Sequence, residues 1–543
     1  MSGYEQARGF RLMPLQRLVT VHRLVIVTLL SLGNPSAWAS SSLNLLEAVH
    51  LTLSHNPEIK VQEKQVEYNQ GALQQASGQF DPVLRLKTGY NLENSPLNQQ
   101  TRDGYASQGL FLNQVRNEET SYNLGVEKRL RNGMLLSPSI GVTSTTNTLS
   151  DISNQPTQAQ GRLSFSLRIP LLNNSGLEAV AIEDAAHLEW EASKHEMHFK
   201  VSQSILNTIT AYWNLQAARE NLLIAREAES GVRRMLEDIK KLVAADELPA
   251  ADLYLVRANI QEKYSARITA EKNLIDARHK LGKAIGLSQN QAALIEPPDE
   301  LPLPSTEFAS LPLQSTKLAE LATLRRADLA ALRLRQDSAR LKSKVARNNL
   351  KPQLDITFSA GYTGLAESSG AQAITGGLER NRGGTNAAVN LIYQWPFDNN
   401  TARGLYHQQT AIYDQNTIRV AAAERETGIS VQSALADLKH SVALFQESGQ
   451  TVELYRITME NEKTKHKLST STIIDVLTTH DRLLSAQQNN VAYQLNTLNA
   501  LARLNFETGT LLAGDASGQQ SVRLEQFLNV PTIDQEREHH GRQ

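Results

Sequence analysis

Two long proline-free segments most strongly limit the folds open to this chain. The first runs from about Leu177 to Val243 and the second from about Ala402 to Lys467, and in both of them apolar or small residues recur every three or four positions, as on one side of a helix. Because an α-helix rises about 1.5 Å per residue, each segment would make a rod of roughly 100 Å. A rod of that length cannot fold back on one globular core, so it needs neighbouring helices along its whole length.

The same short motif precedes each long segment: a proline, two further residues, and a pair of asparagines. The motif residues are Pro170, Asn173, Asn174, Pro396, Asn399 and Asn400. Proline lacks an N–H and forces the preceding residue into an extended conformation, which ends a strand. Asparagine side chains can accept hydrogen bonds from the free N–H groups of a starting helix. We therefore predict that each motif is a hinge between a strand and a long helix.

Alternating segments of about ten residues precede both hinges and predict strands. Four are predicted in the first half and two in the second, at about Val83–Leu92, Ser121–Leu130, Met134–Thr146, Gln160–Ile169, Gln353–Tyr362 and Thr385–Trp395. Asn132-Gly133 is suited to a tight turn between the two middle strands of the first half. Strands of this length match those that cross a membrane at a tilt.

The order of these segments predicts two internal repeats, each with a helix, strands, and a long helical hairpin. The first repeat spans 40–295, with strands at about 83–169 and its hairpin at about 177–286. The second spans 313–512, with strands at about 353–395 and its hairpin at about 402–510. A proline-rich linker, 296–312, joins them, and 513–543 is expected to be a flexible tail.

The N-terminus has the pattern of a secretory signal peptide. Four arginines precede the apolar run Leu24–Leu32, and Ala37-Trp38-Ala39 offers small residues for cleavage after Ala39, so 1–39 is predicted to be removed. The alternative is an uncleaved anchor, but nine apolar residues are fewer than the roughly 20 that a spanning helix needs. No other apolar stretch reaches that length, so strands are expected to make any membrane crossing.

Composition and motifs exclude several other classes of function. The net charge of −1 gives no electrostatic basis for nucleic-acid binding, and the absence of cysteine excludes disulfides and thiolate metal sites. His195 and His198 are three apart, whereas two metal ligands on one helix are usually four apart. No nucleotide-binding loop or nucleophile elbow is present. We therefore predict no enzyme activity, no cofactor and no metal.

The motifs together resemble the TolC family of outer-membrane efflux proteins. The resemblance rests on Asn56-Pro57-Glu58, the strand entries at Pro82 and Pro352, both hinges, and the segment from Ser471 to Leu477, and it covers roughly Leu43 to Leu512. It implies an α+β membrane protein that forms a homotrimer. Each protomer would contribute strands to one transmembrane β-barrel in outer-membrane lipid, and the helices would form an α-barrel in the periplasm. The implied partners are a periplasmic adaptor protein and an inner-membrane transporter.

The first half leaves the strand number of such a barrel open. Pro170 follows Pro82 by 88 positions, whereas Pro396 follows Pro352 by 44. The family pattern gives four strands per protomer. The extra residues either add a membrane hairpin, for six strands per protomer, or lie above the membrane.

The resemblance also implies functional residues at the periplasmic end. Asp475 would form a ring of three carboxylates that narrows the channel, with Asp481 one turn beyond Thr478, the next acidic position in relatives. The alternative is that Asp475 only stabilises the first turn of its helix. Ser471 and His466 replace the residues that hold the gate shut in relatives. The residues implied to contact the adaptor are Asp246, Leu248, Pro249, Ser469, Thr470 and Ser471.

Three functions remain open at this point. The preferred one is a passive export duct of a tripartite efflux system. The second is the outer-membrane component of a type I protein secretion system. The third, from another class, is a structural periplasmic coiled-coil protein without a pore, which would not need strands of membrane length.

Overall fold

A computed structural model describes residues 43–152, 157–173, 176–245, 249–296, 300–304, 314–367, 383–468, 470–514, 520–521 and 529. The predicted signal peptide lies outside these residues, as do most of the proline-rich linker and most of the C-terminal tail. The described part is mostly helical and carries one large antiparallel sheet, as the sequence predicted.

The large sheet has six strands in simple sequence order, each antiparallel to the next. The strands are β1 (Val83–Pro96), β2 (Gln114–Arg129), β3 (Leu135–Asn147), β4 (Gln158–Pro170), β5 (Gln353–Glu367) and β6 (Gly383–Gln394). The first half of the chain thus supplies four strands and the second half two. β4 joins the two halves, because it pairs with β5 along its whole length, from Gln158 opposite Glu367 to Pro170 opposite Asp355.

Two helices of 68 residues dominate the rest of the molecule. The α-helices of the described residues, in chain order, are α1 (Leu45–His55), α2 (Pro57–Ser77), α3 (Gln99–Ala106), α4 (Thr148–Ile152), α5 (Leu177–Ala244), α6 (Ala251–Ile285), α7 (Gln289–Ala293), α8 (Ser315–Arg325), α9 (Ala327–Asn348), α10 (Asn400–Lys467) and α11 (Ile473–Glu507). A short 3₁₀ turn, Gly78–Phe80, follows α2, and a two-stranded ribbon of β7 (Ala513–Gly514) and β8 (Gln520–Ser521) follows α11. α5 and α6 form one hairpin, and α10 and α11 form the other.

Shorter helices lie end to end beside each long one. α6 ends where α2 begins, and the Asn56 side-chain amide donates to the Ala284 carbonyl across 2.7 Å. Likewise α11 ends where α9 begins, and the Arg326 guanidinium binds Glu507 at 2.6 Å. Both junctions follow a glycine in the left-handed conformation, at Gly286 (φ +91°) and Gly509 (φ +71°). A side chain at Gly286 would also meet the His55 carbonyl, so glycine suits both the turn and the close junction.

The apolar core is divided along the hairpins rather than gathered at one centre. The largest cluster lies at the middle of α5, where Tyr212 and Trp213 are almost completely buried against α1, α6 and α11. The Tyr212 hydroxyl donates to the Leu43 carbonyl at 3.0 Å. A second cluster joins α8, α10 and α11, and a third lies near the far end of the hairpins. In the part of the chain that the structure describes, no helix is long and apolar enough to cross a membrane.

Candidate functional site

The sheet has one apolar and one polar face. Residues in direct register on the first face are Leu86, Leu124, Ile140, Leu163 and Tyr362, and all five carry exposed or half-exposed apolar or aromatic side chains. We call this the apolar face. It continues on β6 with Val389, Leu391 and Tyr393, which lie opposite Phe358, Ile356 and Leu354 of β5.

The other side of the sheet carries polar or small side chains at neighbouring register positions. Arg85 is followed across the strands by Gly125, Ser139, Ser164, Gly361 and Asn386. We call this the polar face. Apolar and polar residues alternate along most of the six strands, which is the pattern of a sheet with one face in an apolar medium and the other in water.

Both edges of the sheet are open within one chain. Among the described strands, β1 pairs only with β2, and β6 pairs only with β5. The edge strands nonetheless carry large exposed apolar side chains, such as Leu84 and Tyr90 on β1 and Leu391 on β6. Each edge therefore leaves a row of N–H and C=O groups unpaired within one chain, and such groups cannot be tolerated in lipid.

The β2–β3 hairpin is fixed to the start of α5. Arg131, in the turn between the two strands, binds the Glu183 carboxylate through both guanidinium nitrogens and lies over the Phe80 ring at 4.8 Å. The Asn132-Gly133 turn packs closely on Gly176, and a side chain at Gly176 would overlap the backbone of the turn. This hairpin therefore belongs to the sheet and is anchored to the helical part of the molecule.

The two hinges lie next to each other at the junction of sheet and helices, but their asparagines act differently from the prediction. Neither Asn173 nor Asn399 provides a side-chain cap to the helix that follows. Instead the Asn173 amide donates to the Lys351 carbonyl at 3.4 Å, and the Asn399 amide donates to the Leu350 carbonyl at 3.2 Å.

The capping prediction was wrong because Gly176 opens α5 and Asn399 itself adopts φ +45°, with Asn400 as the first residue of α10. The prolines are placed as expected, since Pro170 ends β4 and Pro396 follows β6. Asn174 lies outside the described residues.

Asp475 is placed at the start of α11, where it forms a capping box with Thr472. Its carboxylate accepts from the Thr472 hydroxyl at 2.6 Å and from the Thr472 N–H at 3.1 Å, and the Asp475 N–H donates back to the hydroxyl at 3.3 Å. These hydrogen bonds, chiefly that from the Thr472 side chain, hold the pKa of Asp475 below its usual value. The side chain remains exposed, so its ionised carboxylate is available at the tip of the hairpin.

Ser471 is held within the same tip by Glu462 of α10. The Ser471 hydroxyl donates to the Glu462 carboxylate, which Lys465 also contacts at 3.1 Å. The hydrogen bond from Ser471, and next that from Lys465, lower the pKa of Glu462. Thr470 is tied to the same helix end, because its N–H donates to the Lys465 carbonyl at 3.0 Å.

Asp481 forms an ion pair with a lysine of the first hairpin. Its carboxylate contacts the Nζ of Lys263 on α6, and the Lys263 side chain is only 10% exposed. The neighbouring His480 ring packs toward Gly231 of α5. We call Lys263, Asp481, His480 and Gly231 the tip contact. It ties α11 to the first hairpin, and the sequence analysis did not foresee Lys263, His480 or Gly231.

Of the predicted adaptor-contacting residues, Pro249, Thr470 and Ser471 are described, and all three lie at the ends of the two hairpins. The Pro249 carbonyl accepts the Asp252 N–H at 3.1 Å and so begins α6. Asp246, Leu248 and Ser469 lie outside the described residues. Within the described ranges, no group of three or more His, Asp or Glu side chains is arranged to hold a metal ion.

Comparison with known families identifies this architecture. Residues 318–510 match the family model described as outer membrane efflux protein. The outer membrane protein TolC of Escherichia coli K12 is 24% identical over 315 residues, which is 55% of this chain and 62% of that protein. The chain is thus similar to outer membrane efflux proteins over these residues. The predicted resemblance to the TolC family is thereby confirmed, although the match spans less than two thirds of the Escherichia coli relative.

Solved structures of outer-membrane channels share the fold of this chain. The outer-membrane channel OprN aligns with a TM-score of 0.64 at 15% identity, covering 86% of this chain and 90% of that one. The Campylobacter jejuni CmeC outer membrane channel aligns with a TM-score of 0.63 at 14% identity, covering 90% of both chains. The predicted location is likewise confirmed, and the chain is an outer-membrane protein.

Proposed function

We propose that this chain is one protomer of a homotrimeric outer-membrane duct. It would pass substrates passively from an inner-membrane transporter and its periplasmic adaptor to the exterior. The observation that carries the proposal is the six-stranded sheet with its apolar face, polar face and two open edges, attached directly to two 68-residue helices. The strands supply a membrane-crossing part, and the helices supply a tube of about 100 Å.

A closed barrel of three sheets satisfies both open edges. β1 of each protomer would pair with β6 of the next, with the apolar face toward lipid and the polar face toward the lumen. With six strands from each protomer, the barrel would have eighteen strands rather than the twelve of the family pattern. Barrels of about 16–18 strands enclose an aqueous channel.

Aromatic side chains support this placement in the membrane. Tyr393, Trp395 and Phe397 are all exposed at the end of β6, just before α10 begins. Tryptophan and tyrosine concentrate at the two interfaces of a bilayer. This belt would therefore mark the periplasmic surface of the outer membrane, and the hairpins would extend into the periplasm.

The helical part supports a tube built from two repeats. α5 and α10 have equal lengths, as do α6 and α11 at 35 residues, and each long helix is accompanied by two shorter helices stacked end to end. Many apolar side chains on the hairpins remain exposed in one chain, including Ile268, Ile429 and Leu454. Neighbouring protomers would cover them. A purely structural rod would explain these helices but not the apolar face of the sheet.

Asp475 is proposed to line the narrow periplasmic end, three carboxylates forming one ring. The Asp475→Asn variant is the sharpest test, because asparagine removes the charge while its side-chain oxygen can still accept from Thr472. Since a ring of carboxylates favours cations, we expect the variant to lose most of its cation selectivity in planar-bilayer recordings, with little loss of folded trimer. The matched control is Asp252→Asn, which removes a carboxylate from the first turn of α6. Equal selectivity in both variants would place the constriction elsewhere.

A further inference from the structure

We infer that the tip contact is a pH-sensitive interhelical contact, and that acidification of the periplasmic side releases α11 from the first hairpin. The contact joins the two hairpins of one protomer near their periplasmic ends. Its release would widen the duct near Asp475, and this consequence rests on the proposed function. The release itself is a property of the fold and can be measured without any transport.

The tip contact joins helices that are far apart in the sequence. Lys263 comes from α6, while Asp481 and His480 come from α11, more than 200 positions later in the chain. Lys263 is buried to 8% exposure, so its ammonium depends on the Asp481 carboxylate for compensation. The His480 ring lies close to α5, because its Nε2 is 3.6 Å from the position that a methyl group on Gly231 would occupy, an ordinary packing distance.

His480 is the group through which pH would act. Its Nδ1 is buried and has no hydrogen-bond partner. A neutral ring can leave that nitrogen unprotonated, whereas an imidazolium must carry an N–H there with no acceptor. Burying an unsatisfied charged donor is costly, so protonation opposes the packed arrangement.

The charges around the ring act in both directions. Lys263 of α6 and Lys463 of α10 disfavour the imidazolium, while Asp481 of α11 and Glu227 of α5 favour it. Burial has the largest effect, and the pKa of His480 lies below the ordinary value of 6.5.

The released state therefore binds a proton more readily than the packed state does. Packing of α11 keeps its full stability above about pH 6.5 and weakens as the pH falls below that value.

The apolar cluster near the tip contact is small, so protonation of His480 can affect whether α11 stays packed. Near the tip, eight buried apolar residues hold the four helices together, and they form a cluster separate from the large core around Trp213. These residues are Val232, Ile239, Val256, Ile260, Met459, Ile473, Val476 and Leu477. A small cluster at the end of a long hairpin can open without unfolding the rest of the molecule.

Two spin labels can report the release directly. The chain contains no cysteine, so Arg234→Cys on α5 and Thr478→Cys on α11, both exposed positions, give specific labelling of the purified trimer. We expect the distance distribution between the labels to shift to longer values between about pH 7.5 and about pH 5. In the His480→Gln background the distribution should stay unchanged over that range. His440→Gln is the matched control, an exposed histidine on α10, and should keep the shift of the parent protein.

Bilayer recordings separate this inference from the proposed duct. The parent protein should show a several-fold rise in mean conductance on acidification, and His480→Gln should show none. Asp481→Asn should show a raised conductance and longer label distances already at about pH 7.5, because the buried Lys263 ammonium loses its counter-charge.

A label distance that does not respond to pH, or that responds equally in His480→Gln, would overturn the inference, whatever the conductance. If the labels respond but the trimer never conducts, the release stands and the duct is contradicted.

Discussion

Replacing Leu124 with arginine is expected to prevent accumulation of stable trimers in the outer membrane. Leu124 lies on the apolar face, between Leu86 of β1 and Ile140 of β3. An arginine facing lipid near the middle of a barrel strand costs about 2–4 kcal/mol, and a trimer would carry three of them. The measurement is the amount of heat-resistant trimer recovered from outer-membrane fractions.

The neighbouring residue supplies the control for this substitution. Asn123→Arg introduces the same side chain one position away, on the polar face, where water would solvate it. We expect Asn123→Arg to give near-normal trimer. Equal recovery of the two variants would contradict a membrane-spanning β2–β3 hairpin, and with it the six-stranded contribution of each protomer.

Replacing Trp213 with alanine is expected to destabilise the helical part by about 3–5 kcal/mol, which is typical of a large aromatic removed from a packed core. Trp213 is 1% exposed and lies in the largest apolar cluster, where α1, α6 and α11 meet α5. The loss combines the transfer free energy of the indole with the cavity that remains. It should appear as a large fall in the midpoint of thermal unfolding, followed by circular dichroism of purified protein.

Trp190→Ala provides the comparison on the same helix. Trp190 is half-buried, and it contacts the Lys194 ammonium, 4.0 Å from the ring centre, and the edge of the His187 ring. We expect this variant to lose no more than about 1–2 kcal/mol, because water already reaches part of the ring and less apolar contact disappears. If both variants shift the midpoint equally, the mid-helix cluster is not the main stabilising core.

The long elements were predictable because their signals are local. The helical pattern and the hinge prolines placed the first rod at about 177–243, and α5 spans 177–244. The alternating segment that begins at Val83 likewise predicted β1. Its continuation to Pro96 was missed, because Glu93, Asn94 and Ser95 are polar and lose the alternation.

The pairing of strands was less accessible to sequence. No local sequence pattern predicts that β4 pairs with β5, because both helices of the first hairpin lie between the two strands in the sequence. The sequence left open whether the additional residues of the first half join the sheet. The structure places both β2 and β3 in register with their neighbours, and Arg131 and Gly176 supply the anchor.

In the candidate site too, contacts between residues close in the sequence could be predicted, and contacts between distant residues could not. Thr472 and Asp475 are close in sequence, so a helix-start role for Asp475 could be weighed from the chain alone. The partnership of Asp481 with Lys263 could not, because it depends on how two hairpins pack. The asparagines of the hinges bind carbonyl groups of the segment after α9, and that contact also arises only once the sheet has brought the two hinges together.

The most direct test of the proposed duct is single-channel recording of the purified full-length protein in a planar lipid bilayer. The proposed architecture predicts discrete conductance steps that are small and cation-selective, because a wide barrel would narrow to a ring of Asp475 carboxylates. The recording should accompany a measurement of trimer content in the same preparation. A well-folded trimer that never conducts would contradict the duct.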